Sequence, residues 1–231
     1  MKRAGIIGGL GPESTVDYYQ SFIQKYQDKV GSRKELPELF INSINMYNIF
    51  KYISENRMDD LIAYVGGAAQ KLEAIGADFV VISANTPHIV FDEVNKMVGV
   101  PMISIVESTY AKTNEEGLEK PGLLGTKFTM EHAFFKQPFL ERDKKIIVPG
   151  TQEQQLIHQR IVDELENGIV TQETKNEMLE IINRMIHEEG IDSLILGCTE
   201  LQMILTQPDV NVALLDTVDI HVDKMIEELF K

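Results

Sequence analysis

Short apolar runs alternate along this chain with amphipathic stretches at helical spacing, and that alternation predicts parallel βα units. Residues 3–8 form an apolar run ending at Gly8-Gly9-Leu10-Gly11-Pro12, and Ser14 to about Lys29 repeats at helical spacing through Val16, Tyr19, Phe22 and Ile23. The pattern is strand, glycine loop, helix. A strand is expected at 38–44, a helix at 59–75, a strand at 79–83, a helix from near Pro87 and a strand at 101–106. Residues 112–121 read as a charged connector containing Gly and Pro. Beyond it the programme restarts, with strand and turn at 122–126, a helix through 131–140, a strand at 145–148 and helices at 153–165 and 173–189. A strand at 193–197, a helix from Thr199 towards Leu205, a strand at 212–215 and a helix at 219–230 complete it.

The restart is an internal duplication. Gly76-Ala-Asp-Phe-Val-Val-Ile-Ser-Ala84-Asn-Thr86 and Gly190-Ile-Asp-Ser-Leu-Ile-Leu-Gly-Cys198-Thr-Glu200 share one layout, in which a β-rich run ends at the eighth residue after the glycine. Gly76 and Gly190 lie 114 residues apart, and Gly5 and Gly122, which open the matching first strands, lie 117 apart. The expected fold is α/β, with two similar domains, each a parallel β-sheet of about four strands flanked by helices. The domains are expected at 1–113, completed by 211–231, and at 114–210. Sheets of this kind take ligands beyond the carboxyl ends of their strands. Loops 9–15, 84–86, 125–126 and 198–200 lie at such ends. A pseudo-two-fold arrangement would put the active site between the domains, with position 84 on one wall and position 198 on the other.

Composition narrows the function. Of the 231 residues, 43% are hydrophobic and 25% charged, a globular balance. The net charge of -14, with no cluster of Lys and Arg, argues against nucleic acid as a partner. No run approaches the ~18 apolar residues of a membrane span. The opening Met1-Lys-Arg resembles the start of a signal peptide, but its apolar run is short and breaks at Gly11-Pro-Glu13. The single cysteine excludes an intrachain disulfide, suits a reducing cytoplasm and leaves zinc no Cys-Cys pair. The five histidines show no metal-ligand spacing, so no metal is expected.

Gly9-x-Gly11 after a strand invites a dinucleotide, yet position 14 is Ser where the fingerprint needs its third glycine. A small carboxylate approaching Gly9, Leu10 and Gly11 uses the same physics. A lone cysteine is often only a small buried hydrophobe. Cys198, however, sits at a strand end just ahead of a helix expected from Thr199, where peptide dipoles favour thiolate. Asn85, Thr86 and Thr199 offer neutral donors for a carboxylate, with N-capping the other role open to the threonines. His88 follows position 84 by four residues, and His221 follows Leu215-Asp216-Thr217; both are candidates for proton transfer. The acidic segments 164–166 and 227–228 read as solvated helix faces.

Four motifs in this order, Gly8-Gly9-Leu10-Gly11-Pro12-Glu-Ser-Thr15, Ala84-Asn85-Thr86-Pro87-His88, Leu124-Gly125-Thr126 and Gly197-Cys198-Thr199-Glu200, resemble the aspartate/glutamate racemase family over essentially the whole chain. The resemblance implies two similar α/β domains, frequent dimerisation and hence a homodimer, and cofactor-independent racemisation of a small amino-acid substrate without pyridoxal phosphate. In members of that family one cysteine in each half, at the positions matching 84 and 198 here, moves the Cα proton on its own face of the substrate. Cys198 is thus the expected acid/base, with Gly9, Leu10, Gly11, Asn85, Thr86, Thr126, Thr199 and Glu200 around the substrate. Two departures stand out. Ala84 has no proton to exchange, so racemisation is expected to be weak or one-sided, with the second face left to water, His88 or another group. Aspartate-directed members carry an arginine shortly after the second strand, whereas residues 42–52 contain none; Lys51 is the stand-in, without arginine's bidentate grip. A non-catalytic amino-acid or carboxylate-binding relative and a single-cysteine decarboxylase of the same superfamily are the alternatives.

Overall fold

The computed structural model describes residues 1–231. In chain order the elements are β1 (Ala4–Gly8), α1 (Pro12–Val30), β2 (Leu39–Ser43), α2 (Met46–Ser54), α3 (Met58–Ala74), β3 (Phe79–Ile82), a 3-10 turn (Thr86–Val90), α4 (Phe91–Asn95), β4 (Met102–Ile103) and α5 (Ile105–Glu115). There follow β5 (Pro121–Leu124), α6 (Lys127–Glu131), α7 (Ala133–Leu140), α8 (Thr151–Asp163), a 3-10 turn (Leu165–Asn167) and α9 (Gln172–Arg184), which runs on into a π turn (Met185–Glu189). Then come β6 (Ser193–Leu196), 3-10 turns at Thr199–Met203 and Gln207–Asp209, β7 (Ala213–Asp216) and α10 (Thr217–Leu229). The chain divides into two compact units, Met1–Ser108 with Val218–Lys231, and Thr109–Thr217. It passes from one to the other within α5 and returns at the start of α10.

The first unit is built on a parallel sheet of order β2-β1-β3-β4. Successive strand residues point to opposite faces, so Ala4, Ile6, Phe79 and Val81 pack with Tyr18, Phe22 and Tyr26 of α1 and Val222, Met225 and Leu229 of α10. Ile7, Val80 and Ile82 pack on the other face with Ile49 of α2 and Leu61, Val65, Ala69 and Leu72 of α3. Burial on both faces explains why these strands read as unbroken apolar runs. The stripe that α1 buries is Ser14, Tyr18, Phe22 and Tyr26, whereas Val16 and Tyr19 of the expected stripe are exposed. Helix α2, which the periodicity did not single out, is capped by Asn45, whose side chain accepts the Tyr47 amide at 2.9 Å.

The expected strand at 101–106 shrinks to two residues because a helix takes over. Ser104 accepts the Glu107 amide at 3.3 Å and starts α5, which continues to Glu115 through part of the expected connector.

The second unit has a parallel sheet of order β5-β6-β7. Its core sets Leu124, Leu194 and Leu196 against Ile157 and Ile161 of α8 and Met178 and Ile182 of α9. The strand expected at 145–148 is reduced to one bridge. Ile147 donates to the Pro121 carbonyl and accepts from Leu123, each at 2.9 Å, but Pro149, next in line to donate, has no N–H. With that bridge counted, both sheets have the same neighbours in the same order. The register agrees too, since Gly5 pairs with Val80 in the first and Gly122 with Leu194 in the second. Ala84 and Cys198 therefore each lie two residues beyond the strand that pairs with the first strand of its unit. No helix is long and apolar enough to cross a membrane.

The paired glycines differ in what surrounds them. A Cβ on Gly5 would meet Ala77 Cβ at 2.9 Å and Leu72 Cβ at 3.1 Å, atoms fixed by the backbone. At Gly122 it would meet the mobile end of Ile191 at 2.8 Å. Gly5→Ala is expected to cost about 1–3 kcal/mol and Gly122→Ala less than about 1 kcal/mol. Urea midpoints at constant slope measure both, and equal shifts would contradict the packing argument.

Candidate functional site

In the first unit, β1 runs into a loop whose glycines Gly9 and Gly11 have φ of +77° and +60°, in the left-handed region. A Cβ on Gly9 would lie 2.2 Å from the Ile44 carbonyl oxygen. Thr15 ties the loop to α1: its hydroxyl accepts the Gly9 amide at 2.8 Å and donates to the Gly11 carbonyl at 3.1 Å. The Gly9 N–H is therefore already bonded within the loop, while Leu10 and Gly11 stay half-buried beside it.

At the end of the adjacent β3, the Ser14 hydroxyl donates to the Ser83 carbonyl at 2.9 Å and the Ser83 hydroxyl to the Ile7 carbonyl at 3.0 Å. Ala84 and Asn85 are buried and Thr86 is half-buried. Asn85 precedes the 3-10 turn without capping it by its side chain, and its carbonyl accepts the His88 amide at 3.0 Å. None of the serine and threonine hydroxyls around Ala84 is an acid or base of suitable strength, and those of Ser14, Ser83 and Thr15 all donate inward to main chain.

His88 and His221 are both buried and neutral, and their partners fix their tautomers. The Ile105 amide can only donate, so His88 Nε2 accepts it at 3.2 Å and Nδ1 carries the proton, donated to the Ala84 carbonyl at 2.9 Å. His221 Nε2 lies 2.9 Å from the Ile103 carbonyl and must be the donor there, so Nδ1 accepts the Tyr18 hydroxyl at 2.7 Å. Burial lowers His88 to about 3, with His221 adding to the effect, and lowers His221 to about 4. Both rings hold main chain and neighbouring side chains together. As placed, neither presents a free nitrogen for proton transfer. Lys51 lies exposed in the last turn of α2.

In the second unit, β6 ends at Gly197, whose Cβ would lie 2.9 Å from the Leu124 carbonyl oxygen; glycine there lets β6 leave the sheet tight against β5. Cys198 follows in extended conformation, half-buried, and its thiol donates to Glu200 Oε2 at 2.8 Å. Loss of hydration pushes the thiol well above its ordinary value, the Glu200 carboxylate pushes it further and Glu166 adds to it. The Glu200 main-chain N–H favours the thiolate, as expected after a strand end, but loss of hydration and the carboxylates outweigh it. The following element is a five-residue 3-10 turn rather than a helix, and two carboxylates outweigh its end charge. Thr126 caps α6, accepting the Thr129 amide at 3.4 Å, and Thr199 is half-buried in the turn after Cys198.

Glu166 is the residue that sequence reasoning missed. It belongs to an acidic stretch read as a solvated face and is indeed exposed, yet its carboxyl is raised by partial loss of hydration and by the Glu200 charge. No local pattern signals this, because it depends on the 165–167 turn packing near the 199–203 turn. In the same stretch it is Glu164 that departs from the solvated reading, since Arg160 and Thr174 bond it.

Residues 7–225 match the Asp/Glu/Hydantoin racemase family. The chain belongs to that family. This racemase-family chain is 26% identical over 219 residues to the broad specificity amino-acid racemase RacX of Bacillus subtilis, with 92% of each chain covered. Its structure is similar to that of an aspartate racemase homologue from Pyrococcus horikoshii OT3, at 37% identity and a TM-score of 0.87 over the whole of both chains. It is also similar to that of a candidate Asp/Glu racemase from Yersinia pestis, at 26% identity and a TM-score of 0.94 over the whole of both.

Two measurements follow from the electrostatics. The buried histidines stay neutral in the folded racemase-family chain while the unfolded chain protonates near pH 6.5, so stability is full above that pH and falls as pH drops towards 4 and 3. Each histidine contributes a slope of up to about 1.4 kcal/mol per pH unit in that window. Urea unfolding at several pH values should show the decline, and His221→Gln should flatten it. Alkylation of Cys198 should reach its half-maximal rate well above the pH of an ordinary thiol, and Glu200→Gln should move that midpoint down. A midpoint unmoved by Glu200→Gln would contradict the hydrogen-bond reading.

Proposed function

We propose that this protein is a cofactor-independent amino-acid racemase in which Cys198 moves the Cα proton. The observation that carries the reading is the thiol of Cys198, standing beyond β6 with its S–H donated to Glu200. A protonated thiol is poised to deliver a proton to a Cα carbanion. In reverse, the thiolate takes the proton from Cα as the C–H bond breaks and the S–H bond forms. Glu200 accepts the thiol's hydrogen bond at rest and orients it, and takes the S–H proton when the thiolate forms to begin abstraction. Asn85, Thr86, Thr126, Thr199 and the loop at Gly9, Leu10 and Gly11 are proposed to line the α-carboxylate, with no charged group among them.

A one-sided reaction is favoured by position 84, the counterpart of 198 in the duplicated layout. Ala84 carries no acid or base, the hydroxyls near it donate to main chain, and His88 has both nitrogens engaged. Removal and return of the proton by Cys198 alone exchanges it with solvent and preserves configuration. Inversion then depends on water at the other face. The preferred side chain is proposed to lack a carboxylate, because Glu200 and Glu166 both act on the Cys198 thiol and residues 42–52 hold no arginine. The broad-specificity relative is consistent with substrates beyond aspartate and glutamate.

Incubation with L- and D-amino acids in deuterium oxide, followed by NMR and chiral chromatography, tests both statements. Cα deuterium incorporation into one enantiomer is expected to outrun inversion, and Cys198→Ala should abolish it. Ala84→Cys should raise inversion by ~10² to 10⁴-fold, the value of a positioned acid/base. Absence of exchange with every amino acid would overturn the reading.

A further inference from the structure

The turn after β3 is held by a side chain four residues away. His88 folds back so that Nδ1 donates to the Ala84 carbonyl at 2.9 Å, while Nε2 accepts the amide of Ile105, the first residue of α5, at 3.2 Å. Its ring stacks on Phe91 with centroids 5.1 Å apart and planes 4° apart, which fixes its rotation. The second histidine grips the same segment from the other side, since His221 of α10 donates to the Ile103 carbonyl at 2.9 Å. Tyr18 of α1 in turn fixes His221. Ile103 and Ile105, at the joint between β4 and α5, are thereby clamped by two imidazoles whose centroids lie 6.3 Å apart. Ala84 has no side chain with which to fix its own place. Its carbonyl is pinned by the His88 ring.

We propose that His88 is a positioning residue, which sets the main chain at position 84 by bridging the Ala84 carbonyl to the first amide of α5. The proposal rests on reading position 84 as the counterpart of Cys198 at the amino-acid site. A neutral imidazole with its proton on Nδ1 is needed, because an imidazolium would set a donor against the Ile105 amide. A glutamine or an asparagine in its place can make one of the two bonds but does not span both. The bridge thus ties the main chain at position 84, which carries no acid or base of its own, to the joint between β4 and α5, so that any group introduced there inherits a defined direction.

The test uses the full chain carrying Ala84→Cys, with mass spectrometry distinguishing the introduced thiol from Cys198. Its alkylation rate is measured across pH in three backgrounds: His88 intact, His88→Asn, which keeps a donor for the Ala84 carbonyl, and His88→Phe, which keeps neither bond. His88→Phe is expected to change the rate by about tenfold, as misdirection of a reacting group does, and His88→Asn, which keeps one bond but not the bridge, to restore only part of it. In the same variants kcat for inversion should fall while KM holds. An unchanged alkylation profile in a natively folded His88→Phe chain overturns the proposal. Should that variant not fold, nitrogen-15 NMR of the unaltered protein decides: a His88 proton on Nδ1 from pH 5 to 8 supports the bridge, and one on Nε2, or on both nitrogens, overturns it. Lack of exchange with any amino acid would remove the proposed reaction yet leave the alkylation result standing, so the two failures are distinguishable.

Discussion

The pairing of β1 with β3 in one unit, and of β5 with β6 in the other, decides where the chemically interesting residues come to lie. Gly5 opposite Val80 and Gly122 opposite Leu194 set the same register twice. A slip of one residue would turn every inward side chain outward, and both faces of these strands are buried. Two residues beyond that register stand Ala84 and Cys198. The glycines near the start of β1 and β5 leave room for this closeness, since a Cβ on Gly5 would meet Ala77 and Leu72 and one on Gly122 would press on the mobile end of Ile191. Packing, rather than any local preference of the loops, thus delivers both positions to the carboxyl ends of their sheets.

The two positions nevertheless differ in their surroundings. Around Cys198 the hydration of a thiolate is removed and two carboxylates are added, so the sulfur keeps its proton. Around Ala84 the protons are plentiful but each is bonded to a main-chain carbonyl, from Ser14, Ser83, Thr15 and His88. One unit therefore holds an ionisable side chain that keeps its proton, and the other holds its protons in bonds to main chain. The duplicated backbone thus carries different surroundings at the two positions.

The α/β alternation, the duplication and the family motifs were legible in the sequence because each depends on short-range pattern. Residues 193–197 show this well, being apolar, bounded by glycine and continued by Cys198-Thr199-Glu200. What escaped depends on contacts between distant segments. The ring nitrogens of His88 are taken by Ala84 and Ile105, and no spacing rule announces that α5 begins beside that ring. Glu166 is exposed as its acidic neighbours suggest, and only the fold shows that its turn comes near enough for the Glu200 charge to raise it. The buried stripe of α1 was misjudged for a related reason. Val16 and Tyr19 fit helical spacing as well as Tyr18 does, and only the sheet beneath selects between them. A two-residue β4 and a one-residue pairing at Ile147 likewise reflect what a serine cap and a proline do to their neighbours.

The proline that stops pairing at Ile147 also governs how the chain meets other chains. An exposed strand edge is a template onto which a foreign strand can add. Next to β1, that outer position is filled by the five-residue β2, on which Ile41 is 42% exposed. Next to β5 the corresponding segment bonds through a single residue and then meets Pro149, so it offers no ladder to extend. Of the two outer positions, self-association by strand addition is therefore open only at β2, and the cut-short strand of the second unit serves as a guard against it.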